Sequence, residues 1–438
     1  MGRIAALRCP QCGWEAVTDD TFACGSCEAV LEVRMDLGHL TRSDVRTIRF
    51  GADNTLWRWF DFFPVKSRGS VVSLGEGYTP LVRCRRLGEH LGMERLYVKN
   101  DTLLPTGSLK DRSNSVGISR AVELGFDTVA VPSTGNAAAS VAAYAAAAGL
   151  RSVVMVPAGT DAAKVTQAYA CGAAVVVVEG ESLDGMGALY RAAVKEFGWY
   201  DCLSTNPYRN EGKKSYAFEL FDQLDEHVPN WIIHPTAGGA GLVAMWKGYQ
   251  ELHGLGWAHR FPRLVAAQSE AAAPIATALN TNSATVEPVA AGATVAESIR
   301  VGNPHALGLR ALRAVRASNG TGVALPDGEI LEAQELLGRL AGVFAEPSAA
   351  VSLAAAARLR REGVIRADDM VVCNITGHGL KQVASVTVPP EQLEPVKPEL
   401  EALKERLEWT PAVRPERSEA RPSEVEGQVG EPESEGQP

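Results

Sequence analysis

Basic residues are in the minority in this 438-residue chain, with 43 lysines and arginines against 52 aspartates and glutamates, a formal net charge of −9 and a pI near 5.5. Binding to a phosphate backbone draws on a basic surface, so nucleic acid is not expected as the main partner. Cysteine is scarce: eight residues are too few for a disulfide scaffold at this length, and the thiols are expected to be reduced. Long apolar runs are missing. The most alanine-rich stretch, AAASVAAYAAAAGL from Ala137 to Leu150, falls short of the roughly 20 residues that a membrane span requires and reads as a buried helix. The opening MGRIAALRCPQCGWE has no apolar stretch with a small-residue cleavage site, so the cytoplasm is the expected location. Two nucleotide signatures are also lacking. EGKKS at Glu211–Ser215 has Pro207 where a Walker A loop needs glycine and Lys214 where it needs a hydroxyl, and no GxGxxG opens a first βα unit.

What remains is ordinary globular material, 46% hydrophobic and 22% charged, enough for a sizeable core. From about Leu96 to Val386, short Val/Ile-rich runs alternate with longer Ala/Leu-rich stretches, such as SVVMVP followed by DAAKVTQAYACG. This rhythm predicts an α/β fold of βαβ units with a mainly parallel sheet. Four of the cysteines form two CxxC pairs near the N-terminus, Cys9/Cys12 and Cys24/Cys27. Their spacing suits a closed tetrahedral Zn²⁺ site that staples a small, independent ribbon over residues 1–35. A redox CxxC pair and a nucleic-acid-binding ribbon are the competing readings; the first needs only one pair, and the second sits poorly with an acidic chain. Cys84, Cys171, Cys202 and Cys373 have apolar neighbours and read as core. Residues 411–438 lack the branched and aromatic side chains that drive packing and are expected to be a disordered tail.

Three glycine-containing segments each follow a strand-like run and open a helix-like one: VAVPSTGNAAAS (Val129–Ser140), WIIHPTAGGAGLV (Trp231–Val243) and MVVCNITGHGLK (Met370–Lys381). In a parallel sheet such loops lie at the carboxyl ends of the strands, where open α/β proteins bind ligands, so they are expected to converge. Gly238, Gly239, Ala240 and Gly241 allow backbone N–H groups to approach an anion at a helix N-terminus. Taken alone, AGGAG is equally compatible with an ordinary αβ turn.

The segment LYVKNDTLLPTGSLKDRSNSVGISRA, Leu96–Ala121, resembles the lysine-bearing segment of the fold-type II pyridoxal phosphate enzymes, with Leu109 in place of the usual phenylalanine. LGEGYTPL from Leu74, SIRVGNP from Ser298, EPSAAVSLA from Glu346 and TGHGLK from Thr376 extend the likeness over the body of the chain, which is similar to the threonine synthases of that family. The resemblance implies pyridoxal 5'-phosphate as cofactor. Lys110 would be both its anchor and the catalytic proton shuttle, a role that suits an amine desolvated at a strand-to-helix junction. It further implies that Asn136 meets the cofactor's 3'-oxygen, that Gly238–Gly241 hold its phosphate, and that the Thr376 hydroxyl faces the ring nitrogen. Asn136 and Thr376 can equally be local turn or capping residues. The fold implied is two three-layer α/β/α subdomains in a catalytic domain over 36–410, the larger roughly 50–115 and 215–405, the smaller 116–214.

STNPYRNEGKKSYAFEL, Ser204–Leu220, resembles the family's N-P-x-R-x-E-G-x-K segment and supplies candidates for a substrate phosphate: Asn206, Arg209, and Lys213 or Lys214. A solvated helix start is the plainer alternative. Ser133 and Thr134 are expected to face the substrate carboxylate. The reaction implied converts O-phospho-L-homoserine and water to L-threonine and phosphate, the partner being a small phosphorylated amino acid and the assembly a homodimer. Ala137 departs from the hydroxyl residue that often follows this asparagine, which leaves open threonine or serine ammonia-lyases and β-replacement enzymes such as cysteate or cysteine synthases. A non-enzymatic scaffold built on the ribbon is a further alternative.

Overall fold

WIIHP and MVVCNI are buried at every position, as expected of central strands covered on both faces. They lie in the middle of the larger of the two main sheets in the computed structural model, which describes residues 3–179 and 183–409; an antiparallel two-stranded pair near the N-terminus forms a third. In chain order the strands are β1 (Ile4–Arg8), β2 (Glu32–Met35), β3 (Leu81–Arg83), β4 (Arg95–Asn100), β5 (Thr128–Pro132), β6 (Arg151–Pro157), β7 (Ala174–Val178), β8 (Tyr200–Asp201), β9 (Trp231–Pro235), β10 (Arg263–Ser269), β11 (Thr321–Leu325) and β12 (Met370–Ile375). The larger sheet has the order β11-β10-β9-β12-β4-β3, parallel except for β3 at its edge; the smaller, β7-β6-β5-β8, is parallel throughout.

Successive strand residues feed opposite layers. Ile232 and Val372 join one core with Phe62, Phe218 and Tyr249, whereas Ile233 and Val371 join another with Leu353 and Leu359. The smaller sheet divides in the same way, Val129 and Val131 to one side, Ala130 and Met155 to the other. Period-two alternation thus gives each sheet two helical covers. Among the described residues, no helix is long and apolar enough to cross a membrane.

Six helices bear on the site: α1 (Lys110–Glu123), α2 (Asn136–Ala148), α3 (Pro207–Gly212), α4 (Ser215–Gln223), α5 (Ala240–Gly254) and α6 (Pro347–Arg361). In α6, proline at the first turn is free of an unmet N–H and alanines let the helix lie close against the sheet. Helix α1 is buried around most of its circumference although it reads KDRSNSVGISRA. Most of its polar side chains are paired, Ser113 being an exception. Arg112 bonds Asp101 at 2.7 Å, Ser215 at 2.7 Å and Thr79 at 3.0 Å, and pairs with Glu219, which in turn lies 2.6 Å from Lys99.

The core formed by Leu7, Cys9, Cys24, Leu31 and Val33 takes in Tyr208 of α3, since so short a segment buries little apolar interior alone. The unit that holds both sheets ends at Ser385, short of residue 410; Val386, Val388, Leu393 and Leu403 beyond it are exposed and add nothing to a core. A second unit begins at Val386 and includes the helix Leu400–Trp409, while the predicted tail at 411–438 lies outside the described residues.

Candidate active site

The three loops meet. A cavity of about 370 Å³ is lined by Lys110, Ser133, Asn136, Arg209, Lys213, Gly238–Gly241, Glu346 and Thr376, drawing on strand ends of both sheets. The lysine loop is fixed by backbone hydrogen bonds to the β12 loop, Leu109 N–H to Thr376 O at 2.8 Å and His378 N–H to Gly107 O at 2.9 Å. Glu346 N–H bonds Gly377 O at 3.0 Å and brings in a third segment.

Lys110 is the first residue of α1. Burial lowers its ammonium to about 8, Arg209 lowering it further and Glu346 opposing. Lys213 is held well below the ordinary lysine value, by burial first and then by Lys110 and Arg209, and its side chain has no hydrogen-bond or ion-pair partner among the described residues. Arg209 donates from Nε to Asn114 Oδ1 at 2.8 Å, which leaves its two Nη groups for the cavity. Two lysine amines and the Arg209 guanidinium thus face one space, with the Glu346 carboxylate acting on Lys110 and no ion pair to Arg209 or Lys213 among the described residues.

The glycine loop divides its labour. A Cβ at Gly238 would meet nothing within 4 Å, so this residue opens onto the cavity. Gly239 has φ +93°, and a Cβ there would fall 2.5 Å from Ala311 Cβ; at Gly241 it would fall 2.0 Å from His234 Nε2. Helix α5 starts here without a side-chain cap, so its first N–H groups point to the loop unsatisfied.

Not every predicted residue comes to the cavity. Lys214 Nζ is buried against Phe62 O at 2.9 Å, Glu251 at 2.9 Å and Glu211 at 2.6 Å, a structural ion pair on the far side of the chain from Lys213. Asn206 caps α3, accepting from Tyr208 N–H at 2.9 Å and donating to Asp201 O at 2.8 Å, and does not line the cavity. Thr134 lines a neighbouring cavity instead, behind a wall of Asn136, Ser298 and Glu346 common to both. His378 Nδ1 accepts from Leu380 N–H at 3.0 Å and serves the turn.

Two residues escaped the sequence reading. Glu346, buried, takes Asn136 Nδ2 at 3.1 and 3.2 Å and Ser298 Oγ at 3.3 Å; burial raises its pKa, against the pull of Asn136 and Lys110. His234 is pushed down to about 3 by burial, then by Lys213 and Lys110, and is neutral beneath Gly241 with Asn374 Nδ2 3.1 Å from Nδ1. A histidine in an otherwise apolar strand and a glutamate directly before Pro347 at a helix start were the available signals.

A model of the family described as pyridoxal-phosphate dependent enzyme matches residues 72–377. The chain belongs to this family. Relatives of this pyridoxal-phosphate dependent enzyme include the threonine synthase of Methanocaldococcus jannaschii, 39% identical over 395 residues, with 89% of this chain and 96% of the relative covered. The threonine synthase of Methanosarcina acetivorans is 38% identical over 403 residues, covering 92% and 98%. A solved structure of maize serine racemase shares the fold, with a TM-score of 0.60, 21% identity and coverage of 75% of this chain and 92% of that one.

The cavity fits the family's cofactor on physical grounds. It offers an amine lowered to about 8, an uncapped helix N-terminus behind an open glycine, and the hydroxyl residue Thr376, in a volume typical of small-ligand sites. At the N-terminus, the sulfurs of Cys9, Cys12, Cys24 and Cys27 lie within 4.8 Å of one another, with Cys9–Cys27 and Cys12–Cys24 both at 3.5 Å. Zn–S bonds of about 2.3 Å at tetrahedral angles give sulfurs that close together. Backbone N–H groups of Gln11 and Ser26 approach Cys9 and Cys24 Sγ at 3.4 and 3.3 Å, partners suited to thiolates.

Proposed function

We propose that this enzyme is a threonine synthase, which converts O-phospho-L-homoserine and water to L-threonine and inorganic phosphate. The observation that carries the reading is the pair Arg209 and Lys213, basic side chains on the cavity wall beside Lys110 with no ion-pair partner among the described residues. A cofactor phosphate at the α5 N-terminus leaves this second anion site without an occupant, and a phosphorylated substrate supplies one. Arg209 offers two Nη groups for a bidentate grip and Lys213 a point charge.

Pyridoxal phosphate, when bound, supplies an electron sink for the substrate's Cα and Cβ; Lys110 would hold it, with Gly238–Gly241 at its phosphate, Asn136 at its 3'-oxygen and Thr376 at its ring nitrogen. Lys110 Nζ moves the protons: its lowered pKa lets it accept one from Cα and, in a separate step, one from Cβ near neutral pH, and it returns one to Cγ and one to Cα, while water supplies the Cβ hydroxyl and its remaining proton leaves with the phosphate. Ser133 holds the substrate carboxylate. Glu346 fixes the Asn136 amide, and the Thr376 hydroxyl, being neutral, leaves the ring nitrogen less protonated than a carboxylate would.

Purified holoenzyme is expected to release inorganic phosphate from O-phospho-L-homoserine with stoichiometric threonine, and Lys110→Ala to lose both this activity and the visible absorbance of the cofactor. Ala137, also on the cavity wall, keeps one rival in view: 2-ketobutyrate from threonine with no phosphate release from the phosphorylated substrate would replace this reading by an ammonia-lyase. We also propose that the four N-terminal cysteines hold one structural Zn²⁺. Elemental analysis should find about one zinc per chain, and Cys12→Ser should lower it.

A further inference from the structure

We infer that the N-terminal cysteine module is a buttress for α3 and thereby sets the affinity for the substrate's phosphate, with Phe22 and Tyr208 as positioning residues. This rests on the reading above that Arg209 and Lys213 bind that phosphate.

Helix α3 has only six residues, too few to hold a helical conformation without outside support. Its consecutive residues serve opposite sides. Arg209 reaches the cavity, whereas Tyr208 is fully buried in the core of the cysteine module, packed with Leu7, Leu31, Cys9 and Cys24. The Tyr208 hydroxyl donates to Asp19 O at 2.7 Å, in the loop between the two CxxC pairs. Phe22, from the same loop, stands edge-on to Tyr208 at 6.1 Å and to Tyr200 of β8 at 5.5 Å. The Asp19 carboxylate pairs with Arg120 of α1 and with Lys66, and the Arg120 guanidinium lies 5.1 Å from the Tyr208 ring centre. On the other flank, Lys247 bonds Val33 O of β2 and pairs with Glu211 of α3.

The opposite wall of α3 is α1, met without slack. A Cβ on Gly117 would lie 2.5 Å from Arg209 Cγ, and one on Gly212 would lie 1.9 Å from Arg112 O. The helix is therefore clamped between α1 and the module, and Lys213 follows directly on its last residue. Loosening the module removes one jaw of that clamp. The cofactor residues stand on other elements: α2, the α5 start and the β12 loop make no hydrogen bond or ion pair with the module among the described residues, and Lys110 lies at the far end of α1 from Arg120, which pairs with Asp19 of the module.

The test uses full-length holoenzyme carrying Phe22→Ala or Tyr208→Phe, with inorganic phosphate as the probe. Expected is a weakening of phosphate inhibition and a rise in KM for O-phospho-L-homoserine of roughly two- to tenfold for Tyr208→Phe, the range that one net hydrogen bond supplies. Phe22→Ala should do more, with kcat and cofactor absorbance unchanged. If Arg209→Gln weakens phosphate binding while neither module variant does, the buttress is overturned and the phosphate site stands. If Arg209→Gln itself leaves phosphate binding unchanged, the substrate reading fails first. Loss of cofactor absorbance in Tyr208→Phe together with phosphate affinity marks a general collapse and likewise overturns the inference. Should Phe22→Ala not fold, Tyr208→Phe decides alone.

Discussion

Lys213 and Lys214 are adjacent, carry the same charge and have opposite fates. Lys213→Ala removes a cavity amine that has no ion-pair partner among the described residues and is expected to lower kcat/KM for the phosphorylated substrate by about ten- to a hundredfold, the scale of a charge-assisted hydrogen bond, with little change in stability. Lys214→Ala leaves Glu211 and Glu251 short of a buried partner and is expected to cost about 3 kcal/mol in denaturant unfolding. Steady-state kinetics and urea titration of the two variants separate the roles. From the sequence the two lysines cannot be ranked, because neighbouring helical residues point about 100° apart and nothing local says which face is inward. Asn206 was more legible than the family likeness suggested, since asparagine followed by proline is an N-cap signature in its own right. Lys110 supplies a pH dependence. Its ammonium is lowered, so the neutral, nucleophilic form accumulates as pH rises toward about 8. Cofactor loading onto cofactor-free protein should accelerate about tenfold per pH unit below that value and level off above it. A rate still climbing with that slope near pH 10 would contradict the assignment.

At the scale of elements, α1 carries Lys110 and is anchored two residues further in by Arg112. Arg112 spans to Asp101 after β4 and to Glu219 on α4, all three side chains excluded from water. Arg112→Ala strips two buried carboxylates of their partner and is expected to destabilise the protein by about 3–5 kcal/mol. Burial pushes the Glu219 carboxyl up, but Arg112 and Lys99 override it and hold it at about 2. A depressed folded-state pKa means that this stabilisation is complete above the unfolded value of about 4.3 and is lost as pH falls toward 2. Unfolding titrations between those limits should be flatter in Glu219→Gln. The strand and helix rhythm, the glycine loop and the lysine segment were legible because each is a short local pattern. Glu346 was not, because it meets Asn136 across 210 residues of chain and no periodicity records such a partnership.

On the scale of the molecule, the cavity belongs to neither sheet alone: the larger contributes the lysine, glycine and β12 loops, the smaller Ser133 and Asn136, and α3, with the residue after it, Arg209 and Lys213. The four-cysteine spacing was plain in the sequence. That its core would be closed by a tyrosine some 180 residues away was not, since an apolar side chain in a helix carries no mark of which neighbour will cover it. The backbone stitching of Gly107–Leu109, Ala345–Glu346 and Thr376–His378 has a dynamic corollary. Strands of a clasp that share hydrogen bonds cannot fray one at a time. The amides of Leu109, Glu346 and His378 should therefore exchange with solvent deuterium through one common opening, with the same denaturant dependence. The Lys110 amine, the Thr376 hydroxyl and the buried Glu346 carboxylate would then be switched in or out together, and a protein caught with only one of them displaced should not be found.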